Sequence, residues 1–283
     1  MSWLLLACTE KGPPATGDSA SVSDPQGSFA ARTLALGSYH GCALVDGEVS
    51  CWGDDTYGQL AAPAEDFVSI SSDVLHSCGL TSDERASCWG LDTAGQCDAP
   101  GTSFMDVDAG TSASCGVTLE GGIECWGRDL GEVPSGDFVE VGIGSEHACA
   151  LSVDGEVSCW GDGNDYGELD VPEIGEVEHL VVGGFFSCAL DTLGQVHCWG
   201  RNDATQASPP SGEFLQIDVA VTNGCGLLAG GTVACWGGDG EGAVSDAPTG
   251  IFDEVGSGSH FACASDGGRI SCWGDGGRGQ TAP

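Results

Sequence analysis

Lysine is almost missing from this chain. Lys11 is the only one, and with six arginines the seven basic residues face 43 acidic ones, a formal charge of −36 over 283 residues. A field of that sign repels phosphate backbones and anionic headgroups, which argues against nucleic-acid binding and against adsorption to a lipid surface. No run of residues is long and apolar enough to span a bilayer, and no segment keeps a helical hydrophobic period. The signatures of common catalytic folds are missing too. There is no Gly-x-Ser-x-Gly elbow, no Walker loop and no strand-to-helix dinucleotide turn.

Cysteine, glycine and one tripeptide are abundant. The chain has 16 Cys and 48 Gly, and Cys-Trp-Gly occurs seven times. Each time a second cysteine lies nine or ten residues upstream, which gives Cys42/Cys51, Cys78/Cys88, Cys115/Cys125, Cys149/Cys159, Cys188/Cys198, Cys225/Cys235 and Cys263/Cys272. The second members are 37, 37, 34, 39, 37 and 37 residues apart. Such a period means a repeat architecture. Zinc sites use shorter Cys-x-Cys knuckles or nearby histidines, so the spacing points instead to a staple across a hairpin.

Turn chemistry supports the staple. Asp46-Gly47 lies midway between Cys42 and Cys51 and suits a two-residue turn with positive φ at both positions. Counting outward puts the cysteines opposite each other on a non-hydrogen-bonded pair, where side chains approach most closely. Gly267-Gly268 does the same for Cys263/Cys272. The other five pairs need a three-residue loop whose third position is left-handed, and Gly121, Gly155, Gly194 and Gly231 supply it. Glu84 is the exception. Loops this short give each bridge about 2–3 kcal/mol in the chain-entropy model. Alternation places Cys42, Leu44, Val49 and Cys51 on one face and Ala43, Ser50 and Trp52 on the other, so that both faces are covered.

A short alternating apolar segment precedes each hairpin: Phe29 to Leu36, Phe67 to Ser71, Phe104 to Asp108, Phe138 to Val141, Glu178 to Val182, Phe214 to Val219, and Ile251 to Val255. A polar loop ending near a proline follows each Trp-Gly. Each repeat thus supplies three strands and room for a short fourth near Gly58-Gln59-Leu60, three to four in all. Small sheets covered on both faces stack around an axis as an all-β propeller. An open solenoid is the competing arrangement. Seven repeats without obvious caps favour the ring. The repeats run about 29–63, 64–100, 101–134, 135–172, 173–210, 211–248 and 249–283.

The pattern Gly37-Ser-Tyr-His-Gly-Cys-Ala-Leu44, Asp46-Gly47, Val49-Ser-Cys-Trp-Gly53 and Gly58-Gln-Leu60 resembles the regulator of chromosome condensation repeat family. It returns at Glu146 to Leu151 with Val157 to Gly161, and at Ser187 to Leu190 with Val196 to Gly200. The resemblance covers about nine-tenths of the chain and implies a seven-bladed β-propeller of ~37-residue repeats. The best-known eukaryotic members of the family are nuclear and promote nucleotide exchange on a small GTPase. The shorter repeats, the cysteine staples and the signs of export argue against carrying that activity over. The chain is more similar to the compact bacterial branch, which includes a secreted propeller that inhibits β-lactamases.

Leu5-Leu6-Ala7-Cys8 resembles a bacterial lipobox, which makes residues 1–8 a partial lipoprotein signal and Cys8 the lipidated residue. Residues 9–28, rich in Pro, Gly, Ser and Asp, then read as a flexible linker to a propeller over 29–283. Export to the cell envelope agrees with the disulfides.

Nothing singles out a catalytic pair, and no catalytic residue or cofactor is assigned. His40, His76 and His147 share one repeat position, two residues before a cysteine, and read as packing or turn residues. The loops after Trp-Gly form a candidate acidic binding rim of Asp54, Asp55, Asp92, Asp129, Asp162, Asp165, Asp203, Asp239 and Asp275. Asp162, Asn164 and Asp165 are weak candidates for a Ca²⁺ loop that lacks the alternating ligands and distal Glu of an EF-hand. Cys97 has no repeat mate and reads as a buried free thiol.

The sequence therefore points to a monomeric, non-enzymatic binding propeller, held at the membrane only through a lipid anchor, whose acidic loops meet a protein or glycan and not a nucleic acid. The alternatives are an extracytoplasmic enzyme with an acidic site at the propeller mouth, a secreted-type enzyme inhibitor, or an architectural envelope component. Non-reducing mass spectrometry of the exported protein should return the seven named cysteine pairs; free thiols at several of them would overturn the hairpin reading.

Overall fold

The computed structural model describes residues 33–283. Cys8, the lipobox, the linker and the start of the first repeat lie outside the described residues. The rest forms seven three-stranded antiparallel sheets, one per repeat. In each sheet an inner strand pairs with a middle strand, which pairs with an outer strand. The first sheet is Leu34–Leu36, His40–Val45 and Glu48–Gly53. The other inner strands are Phe67–Ser72, Phe104–Ala109, Phe138–Ile143, Val177–Val182, Phe214–Val219 and Glu254–Ser257. No fourth strand forms among the described residues. Residues 56–60, where a fourth strand had room, make a turn instead, because the Gln59 side chain accepts the Tyr57 N–H at 2.7 Å and holds the chain bent.

The hairpins follow the turn chemistry. Asp46 and Gly47 have φ of 53° and 84°, and Gly267 and Gly268 have 68° and 109°. Gly121, Gly155, Gly194 and Gly231 are left-handed, and Glu84 takes the same conformation at φ 66° despite its side chain. Each middle-strand cysteine directly faces its outer-strand mate. Cys42 faces Cys51, Cys78 faces Cys88, Cys115 faces Cys125 and Cys149 faces Cys159. Cys188 faces Cys198, Cys225 faces Cys235 and Cys263 faces Cys272. All seven pairs are bonded, with Cα atoms 4.0 Å apart. The glycine of every Cys-Trp-Gly has φ between 88° and 146°, a region that side chains resist. That conformation turns the chain off the outer strand beside the indole.

Each face of each sheet packs against a neighbouring blade. Cys42, Cys51, Leu44 and Val49 pack against Phe67, Ile70 and Trp89 of the second sheet. The other face of the first sheet, with Ala43 and Trp52, packs against Cys263, Cys272, Phe261 and Ile270 of the seventh. The remaining five interfaces repeat this pairing of one blade's disulfide with the next blade's tryptophan. The seventh interface joins the last blade to the first, so the ring is closed. Burial of one such phenylalanine contributes roughly 1.5–3 kcal/mol.

Alternation places both cysteines of a pair on one covered face; the structure covers them unequally. The middle-strand members, such as Cys42 and Cys78, are fully buried. Their mates Cys51, Cys88, Cys125, Cys159, Cys198, Cys235 and Cys272 are only partly buried. The physical reason is radial. The outer strand lies farthest from the axis, and flat sheets arranged around an axis diverge outward, so a neighbour covers the outer strand less completely.

A hydrogen bond accompanies this packing. Trp89 Nε1–H donates to the Gln59 carbonyl at 2.9 Å, and Trp126, Trp199, Trp236 and Trp273 donate in the same way to Gln96, Glu168, Gln206 and Ala243. Trp52 closes the series by donating to Gln280, 228 residues away, at 2.8 Å. Trp160 Nε1 has no acceptor among the described residues. The loop before it is the short one, with 34 residues between Cys-Trp-Gly motifs, and buried Leu130 packs in the same cluster as Trp160. Trp89→Phe should therefore destabilise the protein by about 1 kcal/mol more than Trp160→Phe, since only the first orphans a buried carbonyl. Denaturant unfolding of both variants tests this, and equal losses would contradict it.

Candidate binding site at the open end of the ring

The two ends of the ring differ. At one end lie the hairpin turns; there the turn residue Gly47 accepts the N–H of Phe67, which starts the next inner strand, at 3.0 Å. The other, open end holds the loops between inner and middle strands and the loops after Trp-Gly. In all seven blades the residue after Trp-Gly donates its N–H to a carbonyl of the first of these loops, as Asp54 does to Tyr39 at 2.9 Å. The two open-end loops of each blade are thus clamped to one another.

The acids of the predicted rim lie in this end's loops, and most are occupied in shaping their own loop. Asp54 accepts the Thr56 N–H and Asp55 that of Leu60, while Asp92 accepts that of Cys97. Asp129 holds Gly131, Asp239 holds Val244 and Ser245, and Asp275 holds Gly277. Such bonds are what Asp supplies in turns. Asp203 pairs with Arg201 at 2.6 Å. Asp162 and Asp165 lie in the same loop, and both are exposed. Asn164, the third member of the Ca²⁺ candidate, accepts from Leu169 N–H and donates to Asp170, so its amide serves the loop. Among the described residues no group of three or more His, Cys, Asp or Glu is placed to hold a metal ion.

Aromatic and cationic groups interrupt this rim. Arg278 bonds Asp54 and lies over the Tyr39 ring, 4.3 Å from its centroid. Arg201 lies 5.3 Å from the Tyr166 centroid, and Tyr166 meets Phe185 edge-on. Arg128 lies 3.6 Å from Glu146. The Thr56 hydroxyl and then Arg278 hold Asp54 down at about 2. Tyr57 and Tyr166 are about half exposed. Rings of this kind offer contact area at low conformational cost. Cys97 sits half-buried in its loop, and burial, helped by Asp92 and Asp98, pushes its thiol up to about 12.

The axis carries acids that sequence reading passed over. Each inner strand is an edge strand, with N–H groups unpaired within its own sheet. Side chains of the preceding blade meet them. Asp106 accepts from Val141 N–H, Glu140 from Leu180, Gln216 from Val255, and Glu254 from Leu34. Asp108 and Asp218 do the same for Ile143 and Ser257. An acid within a strand of otherwise apolar residues was the available signal. These strands enclose an axial cavity of about 50 Å³ lined by all seven blades. Asp73 stands at its open end, where other repeats have Gly37, Gly110, Gly144, Gly183, Ala220 and Gly258. Burial, with the charges of Asp108 and Asp218, pushes Asp73 up to about 7, against a hydrogen bond from Thr111 at 3.2 Å.

The repeat-position histidines join blades. His40, His76 and His147 each lie 2.9 Å from a serine hydroxyl of the next blade, Ser77, Ser114 and Ser187. Burial lowers all three to about 4.

Seven radially arranged sheets, closed on themselves around a narrow axis, define a seven-bladed β-propeller. Residues 138–168 and 177–206 match the regulator of chromosome condensation (RCC1) repeat. The matched residues are the fourth and fifth repeats, and the other five share their Cys-Trp-Gly pattern. Among solved structures the chain is similar to the CRINKLY WD40 ectodomain of the Arabidopsis thaliana receptor kinase ACR4, with 26% identity over 86% of this chain and 94% of that one, at TM-score 0.75. The ectodomain of the Physcomitrella patens receptor kinase CR4 shares 24% identity over 86% and 73%, at TM-score 0.74. Yeast RCC1 (Prp20), solved bound to Kap60, shares 16% identity over 87% and 70%, at TM-score 0.52, a likeness of fold. No curated protein matches the sequence.

Buried titrating groups make stability depend on pH in two directions. The folded histidine values near 4 lie below the unfolded 6.5, so the unfolded chain binds more protons in between and stability falls as pH drops through that window. Asp73 has the reverse sign. Its folded value near 7 exceeds 3.8, so its contribution is lost as pH rises through that interval. Replacing the three histidines by Asn, the residue that repeat six has at Asn223, should flatten the acid-side fall of the thermal midpoint. Asp73→Asn should raise the midpoint by a few degrees near pH 8 and leave it unchanged near pH 4. Calorimetry across pH checks both, and parallel profiles for wild type and variants would contradict them.

Proposed function

We propose that the protein is a non-catalytic binding propeller, tethered to a cell envelope through Cys8, whose open-end loops recognise a protein or glycan. The observation that carries this is the division of labour at the open end. The clamps between its two loop sets recur in all seven blades, whereas the residues between them differ from blade to blade and carry Tyr57, Tyr166, Arg201 and a rim of carboxylates. A constant frame presenting variable side chains suits recognition. The likeness to receptor ectodomains supports the same reading. Seven disulfides suggest an oxidising, extracytoplasmic environment, as an envelope protein would meet. Among the described residues no helix is long and apolar enough to cross a membrane, and a lipid on Cys8 would supply the anchor.

A second reading, an enzyme with an acidic site at the propeller mouth, is favoured by Asp73 beside Asp108 and Asp218. The axial cavity of about 50 Å³ is small beside the ~300 Å³ at the low end of ligand pockets, so the binding reading comes first. Residues 29–283 should capture a specific partner from envelope extracts. Exchange of a whole open-end loop should abolish capture, while single changes such as Asp92→Asn or Asp239→Asn weaken it less than about threefold. Running the capture with and without calcium tests Asp162, Asn164 and Asp165. Capture of nothing specific under either condition would overturn the proposal.

A further inference from the structure

The end of the ring opposite these loops has a different surface. Among the described residues, ten large hydrophobic side chains are markedly exposed; eight lie at the hairpin-turn end, and Tyr57 and Tyr166 lie at the open end. Two positions of the repeat supply most of them. The first is a bulge: in five blades the second residue of the inner strand drops out of register with the middle strand, and the residues concerned are Val68, Met105, Val139, Glu178 and Leu215. A bulge re-aims a side chain. Val68, Met105 and Leu215 are 42, 41 and 60% exposed as a result. The second position is the hairpin turn, where Val45, Leu119, Val153 and Leu193 are 60, 45, 61 and 77% exposed.

Neither position requires an apolar residue for folding. Glu178 fills the same bulge in the fifth blade, and Ser82 takes in the second blade the turn position of Leu119 and Val153. Exposed apolar side chains gathered at one end of a ring mark a contact surface. Exposed acids alternate with them, among them Asp46, Glu84, Asp154, Glu176 and Glu213. Among the described residues the only arginines at this end are Arg85 and Arg269. A second copy of this face, a nucleic acid and an anionic lipid surface would all be repelled by that charge. A partner with cations placed between apolar groups complements it.

We propose that the hairpin-turn end is a docking face for a basic, amphipathic protein segment. Its lysine or arginine side chains meet the turn acids, and its apolar side chains cover the bulge and turn residues. The proposal does not depend on the open-end loops, so either face can fail without the other.

The test uses the whole disulfide-bonded protein and two synthetic helical peptides of equal positive charge, one of Leu and Lys, the other of Gln and Lys. The Leu-Lys peptide should bind about tenfold tighter by calorimetry. Hydrogen exchange should slow at the hairpin turns and inner-strand bulges and stay unchanged at the open-end loops. Met105→Glu with Leu215→Glu should weaken binding about tenfold, although it adds negative charge that would strengthen a purely electrostatic association. Tyr57→Ser with Tyr166→Ser should leave it unchanged. These positions are exposed, and retention of all seven disulfides verifies folding of each variant. Equal affinity for the two peptides, protection confined to the open end, or undiminished binding by the Met105/Leu215 variant would overturn the proposal.

Discussion

The contact between the disulfide face of one blade and the tryptophan of the next is what the rest of the structure depends on. A three-stranded sheet of this size cannot bury its own apolar surface. Here Cys42 and Cys51 lie under Phe67 and Trp89 of the following blade, and Cys263 and Cys272 lie under Trp52 of the first. The same contact serves neighbours in sequence and the junction of the chain's two ends, so the ring closes without special capping repeats. The indole N–H adds direction to this packing: it meets a carbonyl only if the preceding loop has the right length. The short loop at Leu130 fills the space against Trp160 and leaves that N–H without an acceptor among the described residues.

The carboxylates divide by location. At the axis they accept the N–H groups that an edge strand would otherwise leave unpaired, as Asp108 does for Ile143. In the open-end loops they shape turns, as Asp239 does for Val244 and Ser245. At the hairpin-turn end most stand exposed among apolar side chains, Asp191 being the buried exception. One overall charge of −36 therefore conceals three physical roles. Most of those at the axis and in the open-end loops accept backbone N–H groups; at the hairpin-turn end Asp191 does so too, while Asp46, Glu84, Asp154, Glu176 and Glu213 are exposed.

Much of the blade was legible from residues alone. Asp46-Gly47 specified its turn, the turn set the register, and the register put Cys42 opposite Cys51 and Trp52 on the reverse face. Glu84 shows the limit of that logic, since it takes the left-handed position that Gly holds elsewhere. Gln59 shows another. As Gly-Gln-Leu it suggested a strand, but its side chain bends its own loop while its carbonyl receives Trp89 from the next blade. The rim acids lie in the loops after Trp-Gly. Their bonds to nearby N–H groups could not be read from spacing, because turn-forming and ligand-binding aspartates have the same sequence pattern.

The sequence by itself determined the repeat, the hairpins, the cysteine pairs and the two packed faces. All of these follow from short-range stereochemistry, in which the interacting groups lie within about ten residues. Only the tertiary structure decided which blade covers which, and that Cys88 is less buried than its mate Cys78 because it lies farther from the axis. It also decided that Gln280 reaches Trp52, that Asp73 shares a cavity with Asp108 and Asp218, and that the exposed apolar side chains collect at one end. Those relations join groups whose separation along the chain says nothing about their separation in space. A closed ring brings equivalent positions of all seven blades to a common axis and to common ends, and a linear repeat does not display that symmetry.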